Sequence, residues 1–237
     1  QGEEECTAAL RLLRRMRQNC GPRFFDLVVV DSWYANGPFL KAVVEELGWP
    51  VIAVLKQERY EIYQEALALS RGQKPDQVVE REGRTVEIWD LRSLRLSDAY
   101  PGPVRVVKVR ERWRQRQRVG GQWEKQDKEQ NWLWVVAGEL DGYDGAAIRD
   151  FGHLRWKIEN NAFGELTQHW HLTHCAHHHP VAVVVLLWIK LIAFTLFHAF
   201  ALLQGKLFRL GRATLSEVRK QIYRSLLCGQ PVPFFSG

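Results

Sequence analysis

The sequence predicts an α/β fold that is interrupted by a β-rich insertion and completed by a helical C-terminal part. Three observations lead there. A strand, a helix and a second strand follow one another between Phe24 and Lys56, and so compact a run implies a parallel pair. From about Tyr60 to Val136 the helical apolar periodicity is mostly lost, and short β-like runs take its place. From Asp144 to about Leu227 helical patterning returns.

Residues 3–18 read as an amphipathic helix, with Ala9, Leu10, Leu12, Leu13 and Met16 on its apolar side and Arg11, Arg14, Arg15 and Arg17 over much of the rest. Gly21-Pro22 stops it. "FFDLVVVD", Phe24 to Asp31, is a short apolar run between breakers, the pattern of a buried strand. "NGPFLKAVVEELG" then reads as a helix, with Pro38 in its first turn and Gly48 at its end. "PVIAVLK", Pro50 to Lys56, is the second buried strand. In the middle, "TVEIWDL", "VRVVKVRERWRQRQRV" and "NWLWVVAG" are β-like and separated by glycines. The stretch Val181 to Leu203 is long enough to span a bilayer. Lys190 near its centre is costly in lipid, so a buried helix started by Pro180 is expected and no membrane is implied.

The 237 residues carry a net charge of +6, which favours a polyanionic partner. Cys6, Cys20, Cys175 and Cys228 are scattered and form no CxxC, so a reducing, cytosolic setting is expected. The opening "QGEEECTAALRLLRRM" is acidic, with no apolar run of the signal-peptide kind and no initiator Met. The chain is therefore expected to begin inside something longer.

The basic character is concentrated in one strand. Arg105 to Arg118 holds seven cations and one acid, a local charge of +6 that equals the net charge of the whole chain. Lys108, Arg110, Arg112, Arg114, Arg116 and Arg118 take every second position, so on a strand they share one face. At a rise of about 3.3 Å per residue they recur roughly every 6.6 Å, close to the step between successive phosphates. An edge strand guarded against aggregation needs one or two cations, not six; nucleic-acid backbone contact is expected. The opposite face, with Val109, Glu111, Trp113, Gln115, Gln117 and Val119, reads as a mixed surface able to pack at its ends. Trp113, Trp123, Trp132 and Trp134 lie on or near this module, where each packs in a core or stacks on an unpaired base.

Two carboxylates stand out. Asp31 ends the apolar run "DLVVV", either as a turn-capping residue or facing the crevice at the C-terminal end of a strand. Asp26 is an odd spacing away and faces the other side. Glu159 lies on a predicted helix, four residues after Arg155 on the same face. Trp156, Ile158 and Phe163 surround that pair with apolar bulk, which predicts a largely buried helix. A buried carboxylate needs a cation or a metal.

"LVVVDSWYANGPFLKAVVEELGWPVIAVLK", followed after a β-rich insertion by "RWKIENNAFGELTQHWHLTHCAHHHP", resembles the DDE transposases of the insertion-sequence-4-like group. The resemblance implies a ribonuclease H-like catalytic domain with a β-strand insertion between its second and third catalytic acids. It implies that Asp31 and Glu159 are those two acids and ligate Mg²⁺, with Mn²⁺ as the alternative, and that Arg155 is the family's signature Arg on DNA. It also implies a cytoplasmic, DNA-associated homodimer acting on paired transposon ends. The sequence departs from the family at two places. Gly152 stands where the family has Tyr, and Leu166 where it has Lys. The family's first Asp has no counterpart, so the first strands are expected to lie before Gln1, and the chain alone is expected to be inactive. The organisation that follows is residues 1–58 as the first part of the catalytic domain, 59–143 as the insertion, 144–228 as its helical continuation and 229–237 as a tail.

Two other functions compete. One is a non-catalytic DNA-binding remnant of a transposase. The other is a metalloprotein built on His169, His171, His174, His177, His178 and His179. His174 and His178 have a workable ligand spacing, but the stretch has no HExxH and reads as a His-rich helix end.

Overall fold

The computed structural model describes residues 4–56, 61–119, 122–174, 177–203 and 214–229. They divide into two compact units, Gln1–Trp156 and Lys157–Gly237.

The first unit is a six-stranded sheet with helices on both faces. Its elements are α1 (Glu5–Cys20), β1 (Val28–Val30), α2 (Gly37–Lys41, running on as a π-helical turn Ala42–Glu46), β2 (Val51–Val54) and α3 (Glu61–Ser70). Then come β3 (Gln77–Arg81), β4 (Arg84–Ser97), β5 (Tyr100–Val119), β6 (Gln122–Ala137) and α4 (Gly145–Lys157). The strand order is β1-β2-β6-β5-β4-β3. β1 and β2 are parallel, as the strand–helix–strand pattern predicts, and every other pairing is antiparallel. β6 pairs directly with β2, so the β-rich middle of the chain continues the same sheet.

β2 shows why the sheet is covered twice. Val51 and Ala53 pack under α2 and α3 together with Phe39, Val43, Ile62, Val106 and Val135. Ile52 and Val54 face the other way, with Ile88, Val107, Val109, Trp134 and Ile148. A strand buried on both faces reads as a continuous apolar run rather than an alternating one. α1 lays Cys6, Ala9, Leu10 and Leu13 on the first of these cores, as its amphipathic pattern predicts, while Leu12 stays exposed.

Three details differ from the sequence reading of this unit. β1 is only Val28–Val30, because Phe25 turns in against Trp49 and Asp26 is exposed ahead of the strand. α3 was not expected: its apolar contacts, Ile62 and Ala66, are too few to register as a period. Of the two alternatives for Trp132 and Trp134, core packing holds: both are buried and they stack at 5.8 Å. The face of β5 opposite its basic residues packs at its sheet end, as expected of Val109, but the burial extends to the charged Glu111.

Gly152 has a packing role. A Cβ there would meet the Trp134 indole at 2.4 Å from Nε1 and 2.6 Å from Cε2, so its absence lets the α4 backbone rest on a buried ring. Gly152→Ala is expected to lower stability by about 1–3 kcal/mol, the usual cost of overpacking a filled core. The urea midpoint would fall with the m-value unchanged. A Tyr, which the resemblance would place at this position, has no room there.

The second unit holds a π-helical turn (Ile158–Phe163), α5 (Gly164–His169), α6 (Pro180–Leu203) and α7 (Leu215–Cys228). Trp170 packs edge-on against Phe194 and Phe197 of α6, and Arg219 of α7 lies over its ring. Glu165 accepts from the Trp170 indole and stands 3.2 Å from His198. Lys190 donates to the carbonyls of His171 and His174, which ties the His-rich turn to α6. α6 corrects an expectation. Burial is expected of it, yet only 6% of its most apolar window is buried. Among the described residues it is the one helix long and apolar enough to cross a membrane. The tail from residue 230 onward and Cys175 lie outside the described residues.

Candidate active site and nucleic-acid face

Asp31 follows the last residue of β1 and opens the helical turn Ser32–Tyr34. Its Oδ1 accepts from the Ser32 amide at 2.6 Å. Asp31 therefore caps a turn, and it also stands at the C-terminal end of a parallel strand, the end at which open α/β sheets carry their crevices. Its side chain is 44% exposed, and Arg155 Nη1 lies 3.8 Å from Oδ2. Arg155 itself is 13% exposed. Its guanidinium lies 5.3 Å from the Trp156 ring centre, and Lys56, just beyond β2, sits 5.8 Å from the same ring. Burial alone would raise the Asp31 carboxyl, but the Ser32 amide, Arg155 and Lys56 outweigh it and hold it below its ordinary value. The sheet thus brings together an ionised carboxylate and two cations arranged about one indole.

Glu159 lies in the second unit, on the π-helical turn Ile158–Phe163. It is exposed, as are Ile158 and Phe163. The expectation of a buried helix around it is therefore corrected. The apolar neighbours in sequence do not close over it, because the turn has one extra residue per winding and spreads them around its axis. Such π-helical turns recur at functional sites.

Asp31 offers exposed, ionised carboxylate oxygen, which suits a hard divalent ion. One carboxylate is not a complete ligand set, however. Among the described residues no three His, Cys, Asp or Glu side chains stand close enough together to hold a metal.

On β5 the even positions share one face, as the alternation predicts, but most do not stand bare. Arg105, an odd position on the opposite face, is buried and paired with Asp90 through Nε and Nη2 at 2.6 Å each. Lys108 donates to Ser70 Oγ and lies over Trp89; burial, then Arg110 and Arg71, push its ammonium below the usual lysine range. Arg110 is opposite Glu87 and bonded to it. Arg112 pairs with Glu129, and Arg114 with Asp127. Farther out the pairing changes: Arg116 faces Lys125, and Arg118 faces Trp123, whose ring is 69% exposed.

The family described as Transposase DDE domain matches residues 2–196. This chain belongs to that family. No curated protein matches it. The DDE transposase match runs from α1 into α6 and spans Asp31, the basic strand, Arg155 and Glu159. It makes the protein a transposase, acting in transposition and DNA recombination, and makes DNA its partner. Transposases of this family generally use divalent metal ions.

The transposase also has a buried polar centre around Glu111 that the sequence reading missed. Glu111 is fully buried on β5. Its Oε1 accepts from Arg149 Nε at 2.8 Å and Nη2 at 2.6 Å, and His153 Nε2 lies 3.2 Å from the same oxygen. Its Oε2 accepts from Arg84 Nη1 at 2.8 Å. Arg84 in turn lies over the Trp113 ring at 4.3 Å. Burial would raise the Glu111 carboxyl, but His153, Arg149 and Arg84 bring it down to about 2. The signal for it was present: Glu111 is the lone acid among seven cations, on the face it shares with Val107 and Val109. This cluster pins α4 to the sheet, and α4 carries Arg155.

Proposed function

We propose that the chain is catalytic sequence of an insertion-sequence-4-like transposase, cutting DNA at transposon ends and joining it to a target by metal-dependent phosphoryl transfer. The observation that carries this reading is Asp31, held ionised at the C-terminal end of β1 with Arg155 3.8 Å away. In this reading the fold is ribonuclease H-like, with residues 1–58 and 144–228 catalytic, 59–143 inserted and 229–237 a tail. Asp31 and Glu159 are the second and third metal-holding acids. The first acid comes from sequence outside these residues. Among the described residues β1 is an edge strand, the position at which such a strand would join the sheet.

Mg²⁺ or Mn²⁺, when bound, supplies Lewis acidity at the scissile phosphate and a water or 3′-hydroxyl activated for in-line attack. The protein's own contribution is electrostatic. Asp31 presents a carboxylate already ionised near neutral pH, Arg155 supplies a planar donor suited to phosphate oxygen, and Lys56 adds positive potential at the same strand ends. Lys108, Arg110, Arg112, Arg114, Arg116 and Arg118 line the face toward DNA. The working state is a cytoplasmic homodimer on paired ends.

The test is strand cleavage by the protein from its whole reading frame, on a duplex carrying the element's ends. Cleavage at the ends with Mg²⁺, lost on adding a chelator, is expected. Binding to the same duplex without any cleavage would favour the second reading, a non-catalytic DNA-binding remnant. That alternative draws on Gly152 and Leu166, since Trp134 fills the space a Tyr would need and Leu166 is buried in its own unit.

A further inference from the structure

The β5–β6 hairpin outruns the sheet. β4 pairs with β5 only as far as Thr85 opposite Arg112, and β2 pairs with β6 only from Trp134 to Ala137. Beyond Arg112 the two strands continue as a ribbon whose outer edges pair with neither β4 nor β2. Its β5 arm, residues 113–119, is roughly 20 Å long at about 3.3 Å per residue. A two-stranded ribbon is at best marginally stable on its own in water.

The ribbon's sequence adds a second cost. Arg116 is directly opposite Lys125, and like charges at directly opposed positions destabilise a sheet. The rungs nearer the sheet are built the other way, with Arg112 against Glu129 and Arg114 against Asp127. The two faces also differ. Arg116, Arg118 and Lys125 project from one, and Gln115, Gln117, Glu124 and Gln126 from the other. A fold selected only for its own stability would continue the acid–base rungs outward.

We propose that this ribbon docks on duplex DNA, with backbone phosphate seated across the Arg116–Lys125 rung. A phosphate between the two cations turns their repulsion into attraction. A two-stranded ribbon also fits the major groove of B-form DNA, about 12 Å wide. Partner and charge are complementary only on the Arg116 face, so the ribbon has a defined side toward the DNA. This rests on the transposase reading for its partner and goes beyond it in dividing the basic strand. The sheet-proximal cations are held by Glu87, Glu129 and Asp127, and the distal rung carries the exchangeable counterions.

The experiment is fluorescence anisotropy with the whole chain and a labelled duplex oligonucleotide of arbitrary sequence, titrated over salt. Arg116→Gln with Lys125→Gln is expected to reduce the slope of log K against log salt by about 0.9, the share of the one phosphate seated on the rung. The loss of affinity between about 50 and about 200 mM salt then becomes roughly three- to fourfold smaller. Gln115→Ala with Gln126→Ala, on the opposite face, leaves the slope where it was. The Arg116/Lys125 variant is expected to melt no lower than wild type, because a repulsion has been removed. If wild type binds steeply with salt and this variant keeps the same slope, the ribbon assignment is overturned while DNA binding stands. If wild type does not bind DNA at low salt, both fall.

Discussion

Glu111→Gln is expected to cost the fold about 3 kcal/mol at neutral pH. Two routes give that size. Breaking a buried ion pair on one side leaves the other charge uncompensated and costs about 3–5 kcal/mol; here Arg149 would keep only Asp150. Linkage gives a similar figure. The folded carboxyl titrates at about 2 against an ordinary 4.5, and at about 1.36 kcal/mol per unit that is about 3 kcal/mol. Because the folded value is depressed, the contribution is fully present above pH 4.5 and is lost as pH falls toward 2. Urea unfolding of wild type and variant across that range is the measurement. The gap between the two curves should be widest near neutral pH and close toward pH 2. A gap that does not change with pH would mean that Glu111 acts by shape rather than charge. Glu111→Leu with Arg149→Met should recover most of the loss, since apolar replacement of a whole buried pair is often neutral or stabilising.

The same cluster shows which parts of this fold could be read in the sequence. Phe24 to Lys56 declared its parallel pair because apolar runs, Pro38 and Gly48 all act within a few residues of one another. The alternation of Lys108 to Arg118 was equally local, and those side chains do share a face. What they meet on that face was not local. Glu87, Glu129 and Asp127 stand opposite Arg110, Arg112 and Arg114 only through the registers of β4 and β6. One strand read alone therefore overstates its free charge. Glu111 hid for the same reason: its partners Arg149 and His153 are 38 and 42 residues away. Asp31 was legible as a carboxylate at a strand end. The approach of Arg155 to it depends on how α4 crosses the sheet, which Gly152 and Trp134 set and no periodicity encodes. Around Glu159, Ile158 and Phe163 suggested burial, but apolar neighbours in sequence bury a residue only when some element packs over them.

Asp31→Asn is expected to abolish strand cleavage by the protein from its whole reading frame, at every pH and with DNA binding retained. Asn keeps the shape and can still accept from the Ser32 amide, so the turn Ser32–Tyr34 should survive. It removes the anionic oxygen that a hard divalent ion needs. Loss of even an outer-shell partner to a metal ligand typically costs about 10–100-fold, so loss of a ligand should exceed about 100-fold. Glu159→Gln is expected to behave alike, and cleavage retained by either variant would remove that residue from the site. Arg155→Gln separates the electrostatic role from the ligand role. Arg155 is one of the groups holding the Asp31 carboxyl below its ordinary value, so its removal lets that value rise. At neutral pH Asp31 is still ionised, and cleavage falls only by what Arg155 itself contributes on DNA. Toward acid pH Asp31 takes up its proton sooner, and the acid limb of the pH–rate profile moves to higher pH. An Arg155→Gln profile lowered uniformly, with its acid limb in place, would show that the guanidinium serves the DNA alone and does not tune Asp31.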